Sequence, residues 1–132
     1  MKIRWTRDHL RLRITPSELE MILAGKAVTE CFQLSGGPGW ETAIVPVEQE
    51  TKLVWVEGAL HLCLSSEDCQ QLALPETEGV YFDRAGDPPL RYFVEKDFPC
   101  AHPRAADAME KPSETFKPPP GFEVRKAAES EP

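Results

Sequence analysis

The sequence feature that most constrains the fold is a pattern that occurs twice, at an offset of fifty residues. Residues 1–23 and 51–73 each contain two short runs of alternating apolar and polar residues, followed by a short helical pattern. The aligned residues are Lys2 with Lys52, Ile3 with Leu53, Trp5 with Trp55, Leu10 with Leu60, Leu12 with Leu62, Ile14 with Leu64, Thr15 with Ser65 and Glu18 with Asp68. Apolar residues align with apolar residues, and helix-capping residues with capping residues. The sequence therefore predicts two structural units of one design, at about residues 1–50 and 51–98.

The first unit begins with two predicted strands joined by a tight two-residue turn. Apolar and polar residues alternate on both sides of this turn, which is typical of strands with one buried face. A two-residue turn fixes the register, so that Arg4 lies opposite Arg11 and Lys2 lies opposite Arg13. One face of the hairpin is therefore predicted to be apolar and the other wholly basic.

A helix is predicted directly after each hairpin. Thr15 suits the N-cap position and Glu18 the reciprocal position of a capping box, and Ser65 is the equivalent N-cap in the second unit. Two further β-rich runs follow each helix. The predicted fold class is α+β and β-dominated, with two pseudo-symmetric ββαββ repeats that form an antiparallel barrel or sandwich with short helices. In this packing, Trp5 and Trp55 are expected to face the core.

The composition of the chain changes after Phe98. Residues 99–132 contain seven of the thirteen prolines, with charged and small residues between them. Such a segment has too few apolar groups to build a core. We therefore predict a single duplicated domain over residues 1–104 and a disordered or extended Pro-rich tail over residues 105–132, with Phe98 and Phe116 as the candidate docking residues.

Charge and cysteine content narrow the possible functions. A formal net charge of −7 argues against nucleic-acid binding, which needs Lys and Arg to neutralise phosphates. The sequence has no apolar run near the ~18 residues of a membrane span, and its charged N-terminus does not match a secretory signal. The four cysteines lack C-x-x-C spacing and are expected to be reduced thiols. These features predict a cytoplasmic protein without a cofactor, bound neither to nucleic acid nor to a membrane.

The start of the chain is basic, whereas the rest is acidic. Residues 1–13 carry five basic groups and one acidic group, but residues 14–98 carry five basic and fifteen acidic groups. Like charges on directly opposite strand positions cost up to roughly 1 kcal/mol per pair, so a negative group is expected to lie over them. Three explanations stay open: the chain's own acids, namely Glu30, Glu41, Glu48, Glu95 and Asp97; a partner protein; or a small anionic ligand. The candidate anion-binding or interface residues are Lys2, Arg4, Arg11, Arg13, Glu95 and Asp97.

A second set of residues has the side chains of a zinc site. His61 and Cys63 project from the same face of one predicted strand, and Cys100 and His102 follow the last strand. The intervals are one residue, whereas zinc pairs usually have two or more residues between ligands. Half-buried structural side chains are therefore the alternative explanation of these four residues.

Four short motifs resemble a family of short, uncharacterised bacterial proteins described as a domain of unknown function. These motifs are KIR at residues 2–4, LRLRIT at residues 10–15 with Glu18, VEKDFPC at residues 94–100 and HPR at residues 102–104. The resemblance covers residues 1–104 and implies a bacterial cytosolic protein. It brings no activity, substrate or catalytic residue.

The sequence favours a binding function over catalysis, since no set of residues matches a catalytic motif. We expect a small non-enzymatic binding or protein-interaction protein, with a protein partner or a small anionic ligand. The alternative is an anion- or phosphate-binding barrel, conceivably a metal-dependent phosphohydrolase, in which inward-facing Arg and Glu side chains hold the ligand.

Overall fold

The computed structural model describes residues 1–37, 39–99, 114–122, 125 and 129. This part of the chain is β-dominated, as predicted, with two four-stranded sheets and two short helices. The elements are β1 (Lys2–Trp5), β2 (His9–Ile14), α1 (Pro16–Leu23), β3 (Val28–Gln33), β4 (Gly39–Val47), β5 (Lys52–Val56), β6 (Ala59–Ser65), α2 (Ser66–Ala73), β7 (Gly79–Arg84) and β8 (Leu90–Lys96). None of the helices in the described residues is long and apolar enough to cross a membrane.

Each sheet is built from two hairpins that are joined through a central parallel pair of strands. The first sheet has the order β1-β2-β8-β7, and the second has the order β3-β4-β6-β5. The central pairs, β2 with β8 and β4 with β6, are parallel. The predicted antiparallel arrangement is therefore wrong at these two pairings. Alternation of apolar and polar residues is the same in parallel and antiparallel strands that have one buried face, so the pattern did not reveal the strand direction.

The hairpin registers predicted from the turns are confirmed. Lys2 pairs with Arg13 and Arg4 pairs with Arg11. The central pairs also correspond to each other: His9 to Ile14 of β2 pair with residues 91–96, and the equivalent positions of β6, fifty residues later, pair with residues 41–46. The two sheets therefore have the same order and the same central register at the offset first seen in the sequence.

One hydrophobic core contains buried residues from both sheets and both helices. Its fully buried members include Leu12 and Ile14 of β2 and Leu62 and Leu64 of β6. The two helices contact each other, and α2 buries Cys69, which the sequence pattern also places in the core. The described strands form two separate sheets, so the closed-barrel form of the prediction is not found among them.

The prediction that Trp5 and Trp55 are core residues is wrong. They are 49% and 57% exposed, and Trp40 lies between them with ring-centroid distances of 5.7 Å and 5.4 Å. Trp5 pairs with Leu10 near the start of β2, whereas α1 follows the other end of that strand. The tryptophans therefore lie at the end of the sheets that the helices do not cover, where alternation alone does not ensure burial.

Both helices begin with the caps expected from the sequence. The Thr15 side chain accepts a hydrogen bond from the Glu18 amide at 3.3 Å, and Glu18 Oε1 accepts one from the Thr15 amide at 3.0 Å. Ser65 Oγ accepts from the Asp68 amide at 3.1 Å. These bonds satisfy amide donors that have no partner within the helix.

Removing either cap should destabilise the protein. We expect Thr15→Ala and Ser65→Ala each to lower the free energy of unfolding by about 1 kcal/mol, measured by urea denaturation. Ser66→Ala, at the first helical position, is the matched control and should have a smaller effect. An equal loss in all three variants would show that the N-caps have no special role.

Part of the C-terminal segment packs on the rest of the chain. The Phe116 amide donates to the Asp97 carbonyl at 2.8 Å, and the Phe98 ring lies 6.1 Å from Phe116 and 4.7 Å from Phe122. Glu114 also accepts hydrogen bonds from the Ser17 hydroxyl at 2.8 and 2.9 Å. Much of the predicted tail lies outside the described residues, so the division into a domain and a disordered tail stays a prediction.

Candidate functional site

The structure brings the six candidate anion-binding or interface residues together on one surface. Buried β2 residues alternate with Arg11 and Arg13, which therefore project from the outer face of the first sheet. Arg13 has a neighbour on each side: Lys2 of β1 and Glu95 of β8. Asp97 is itself buried and joins this surface through its contact with Lys2. We call the surface formed by the six residues the basic face; its members are Lys2, Arg4, Arg11, Arg13, Glu95 and Asp97. The arginines do not face inward, as the barrel alternative required.

Two acidic residues of the chain lie against these basic groups. Glu95 Oε2 is 3.8 Å from the Nε atoms of both Arg11 and Arg13, and Lys2 Nζ is 2.8 Å from Asp97 Oδ2. Of the other predicted acids, Glu30 pairs instead with the α-amino group of Met1 at 2.8 Å. The chain's own acids therefore neutralise only part of the basic face.

Arg4 is the residue least compensated by this arrangement. It forms no ion pair within the part of the chain that the structure describes, and its direct cross-strand partner is Arg11. Partial burial lowers the pKa of Arg11 below its ordinary value, and the charges of Arg13 and Arg4 lower it further. The charge of Glu95 raises this pKa but does not outweigh the other effects. Two of the three arginines thus share one carboxylate and the third has none, which leaves an excess of positive charge.

An open depression of about 240 Å³ lies beside these arginines, and it is lined by Arg4, Thr6, His9, Arg11 and Phe93. His9 is held on one side by Asp8, whose Oδ1 is 2.8 Å from His9 Nδ1, and its ring meets Phe93 edge-on at 6.3 Å. Sequence reasoning missed three of the lining residues. Thr6 and His9 flank the first turn and were open to prediction, whereas Phe93 reaches the site only through the parallel pairing of β8 with β2.

Tyr81 extends the basic face on its β8 side. Its hydroxyl donates to Glu95 Oε1 at 3.3 Å, and its ring lies 5.4 Å from that of Phe93. Desolvation of the hydroxyl, and then the charge and hydrogen bond of Glu95, raise the pKa of Tyr81 to about 12, although 52% of the residue's surface is exposed. Because the phenol stays protonated over the physiological range, it remains a hydrogen-bond donor to Glu95.

Neutralising Glu95 should lower the pKa of Tyr81. In Glu95→Gln the unfavourable charge is lost but the desolvation remains, so the pKa should fall from about 12 and stay above 10.0. Ultraviolet absorbance of the tyrosinate measures this shift. The Tyr81→Phe variant shows the titration of Tyr92 alone, so that the signal of Tyr81 can be assigned. Asp97→Asn is the control and should leave the Tyr81 titration unchanged; an unchanged titration in Glu95→Gln would contradict the contact.

The proposed zinc ligands lie elsewhere or outside the described residues. His61 and Cys63 lie on β6 in the second sheet, and Cys63 is buried there. Cys100 and His102 fall outside the described residues. Among the residues that are described, no group of three or more His, Cys, Asp or Glu side chains is placed to hold a metal ion. The four-residue zinc set stays a prediction.

Comparison with protein families places this site in a known sequence family. A family of unknown function, DUF7009, matches residues 1–119. The chain belongs to the DUF7009 family. No curated protein and no solved structure matches it. The DUF7009 match includes both sheets, both helices and the whole basic face, and it extends beyond residue 104 to include Phe116. The resemblance to an uncharacterised family is thus confirmed, whereas bacterial origin stays a prediction.

Proposed function

We propose that this DUF7009 protein is a non-enzymatic binding protein whose basic face docks an acidic segment of a partner protein. The observation that carries the proposal is the shared carboxylate: Arg11 and Arg13 both approach Glu95, and Arg4 lies directly opposite Arg11 with no acid of its own in the described residues. Repulsion between directly opposed charges disfavours the free protein by up to about 1 kcal/mol per pair. An acidic partner relieves that repulsion on binding.

The charge distribution supports an acidic partner. The chain as a whole carries a formal net charge of −7, so the basic face is a local exception on an acidic protein. Complementary potentials of this kind speed the encounter of two proteins and disfavour wrong partners, because like charges repel outside the matching patch. An acidic segment is therefore directed to the first sheet and away from the rest of the surface.

The shape of the surface favours a protein over a small metabolite. Small-molecule pockets usually enclose ~300–1,000 Å³, whereas the depression beside Arg4 has about 240 Å³ and is open to solvent. Phe93 and Tyr81 lie next to the arginines, and aromatic residues and arginine are the types enriched at protein interfaces. Nothing in the described residues supports the phosphohydrolase alternative.

Two further features of the protein are part of this proposal. We infer that the chain is a duplicated ββαββ unit whose two sheets pack as a sandwich; the equal strand orders and the equal central registers support this. We also infer a cytosolic location, which is supported by the free thiols of Cys31, Cys63 and Cys69. The two sheets would then share one fold, whereas the basic face belongs to the first sheet.

Site-specific photo-crosslinking tests the proposed interface. A benzophenone amino acid replaces Tyr81 on the basic face or, as the control, Val56 on the second sheet; both residues are exposed. We expect a crosslinked partner from position 81 only, joined through an acidic segment that mass spectrometry identifies. The crosslink should disappear when Arg4 and Arg11 are both changed to Gln. Equal crosslinking from both positions, or a crosslinked segment without acidic residues, would contradict the proposal.

A further inference from the structure

We infer that the depression beside Arg4 holds one phosphorylated side chain of the partner, so that the protein recognises a phosphopeptide. The inference rests on the proposed function and names the chemistry of the residue that anchors the acidic segment. It comes from the depression lined by Arg4, Thr6, His9, Arg11 and Phe93, from the unbalanced charge around it and from its size.

The lining residues supply more hydrogen-bond donors than a carboxylate needs. Arg4 and Arg11 are direct cross-strand partners and both line the depression, together with the hydroxyl of Thr6. One guanidinium already satisfies a carboxylate through two parallel hydrogen bonds. The Thr6 hydroxyl already donates to Asp8 Oδ1 at 3.4 Å, whereas the two guanidinium groups alone have enough donors for the three terminal oxygens of a phosphoryl group, each of which is a strong acceptor.

The local charge also matches a phosphoryl group. Arg4 has no ion pair in the described residues, and Arg11 shares Glu95 with Arg13. Positive charge is therefore in excess beside the depression, with Asp8 next to His9 as the nearest other acid. A phosphorylated side chain carries about −1.5 to −2 at neutral pH, whereas Asp or Glu carries one negative charge. The phosphoryl group therefore offsets more of the repulsion between Arg4 and Arg11 than a single carboxylate does.

The size and the apolar part of the depression fit a single side chain. Its volume of about 240 Å³ lies below the range of pockets that enclose whole small molecules. Phe93 is half-buried and contributes an apolar ring to the lining, against which the carbon atoms of the phosphorylated residue can pack. Phosphoserine and phosphotyrosine share the required phosphoryl chemistry, and they differ in how much of the Phe93 ring they cover.

The experiment is a titration of the full chain with four acidic peptides of the form Asp-Glu-X-Glu-Asp. NMR measures the amide shifts, and calorimetry measures the affinities. The central residue X is phosphoserine, phosphotyrosine, serine or glutamate, and inorganic phosphate is titrated separately. We expect the better phosphopeptide to bind about tenfold or more tightly than the serine and glutamate peptides. The amide signals of Thr6 and Phe93 should shift with it.

Matched arginine variants locate the bound group. Arg4→Gln and Arg11→Gln should each weaken the binding of the phosphopeptide by about tenfold or more, because each removes a charge-assisted contact. Arg13→Gln removes the same charge from the same strand but lies outside the depression, so it should weaken binding by less than about threefold. Thermal unfolding verifies that the variants are folded, and the wild-type amide shifts test the location independently of any substitution.

The possible outcomes separate the inference from the proposed function. Equal binding of the phosphopeptides and the glutamate peptide, with equal dependence on Arg4 and Arg11, overturns the inference but leaves an acidic-segment interface. If inorganic phosphate binds as tightly as the phosphopeptides, the claim that the protein recognises a phosphopeptide is overturned. Equal losses in Arg11→Gln and Arg13→Gln, with no shift at Thr6, place the group outside the depression. Absence of binding by every acidic peptide overturns both the inference and the proposed function.

Discussion

Leu62→Ala is expected to lower the free energy of unfolding by about 2–5 kcal/mol, and Leu12→Ala by a comparable amount. Both side chains are fully buried, and both lie on inner strands of their sheets, so the space left by alanine cannot be filled from an open edge. The loss combines the transfer free energy of the removed carbon atoms with the cost of the cavity. Urea denaturation followed by far-ultraviolet circular dichroism measures both variants.

The comparison between the two variants also tests the internal duplication. Leu12 and Leu62 are fifty residues apart and lie at equivalent positions of β2 and β6, so their losses should agree within a factor of about two. Leu23→Ala, at an exposed position in α1, is the control and should cost much less. A large loss for one leucine and a negligible loss for its counterpart would contradict equivalent packing of the two sheets.

Local features of the fold followed from the sequence because they depend on neighbouring residues. The turn between β1 and β2 is a two-residue loop, Arg7 and Asp8, closed by the bond from the Thr6 amide to the His9 carbonyl, and a loop of this length fixes the pairing of Arg4 with Arg11. The Thr15 and Ser65 caps likewise involve residues within one helical turn. Hairpin registers and helix starts were therefore predictable from residues that are close together in the chain.

Pairings between distant segments did not follow from the sequence. The contact of β2 with β8 joins residues about eighty positions apart, and it brings Phe93 beside Arg11. Lys96 provides another example: alternation along β8 points it inward, where its Nζ donates to the Leu74 carbonyl at 2.8 Å and lies 5.5 Å from the Phe116 ring. Burial lowers the pKa of Lys96, and the two contacts offset part of the cost.

The sequence was accordingly sufficient to predict only part of the candidate site. The opposed pairs Lys2–Arg13 and Arg4–Arg11 could be predicted because they belong to one local hairpin, and the sequence placed Glu95 and Asp97 among the five acids that could lie over these pairs. The depression depends on a third strand from the other end of the chain. A charge pattern therefore located the surface, whereas its concave part required the tertiary arrangement.

Gly79→Ala is expected to lower the free energy of unfolding by about 1–3 kcal/mol, because the new methyl group meets backbone rather than a flexible side chain. A Cβ atom at this position would lie 2.7 Å from the Val94 carbonyl oxygen, 3.0 Å from Glu95 Cγ and 3.1 Å from the Tyr81 hydroxyl oxygen. Gly79 and Glu95 are paired across β7 and β8, so the clash with the Val94 carbonyl is relieved only if the two strands separate, and this movement also displaces Glu95.

The same substitution connects the stability of the first sheet with its basic face. The new methyl group meets both Glu95 and the Tyr81 hydroxyl, and displacement of either one breaks the hydrogen bond between them, so the pKa of Tyr81 should fall from about 12 in Gly79→Ala as it does in Glu95→Gln. Gly86→Ala is the matched control, since its Cβ would lie at an ordinary 3.5 Å from the Pro88 carbonyl oxygen. The control should change stability by no more than about 1 kcal/mol and leave the tyrosine titration as it is. Unaltered stability and titration in Gly79→Ala would mean that β7 can move away from β8 without cost, and that Glu95 is not held in place by the strand beside it.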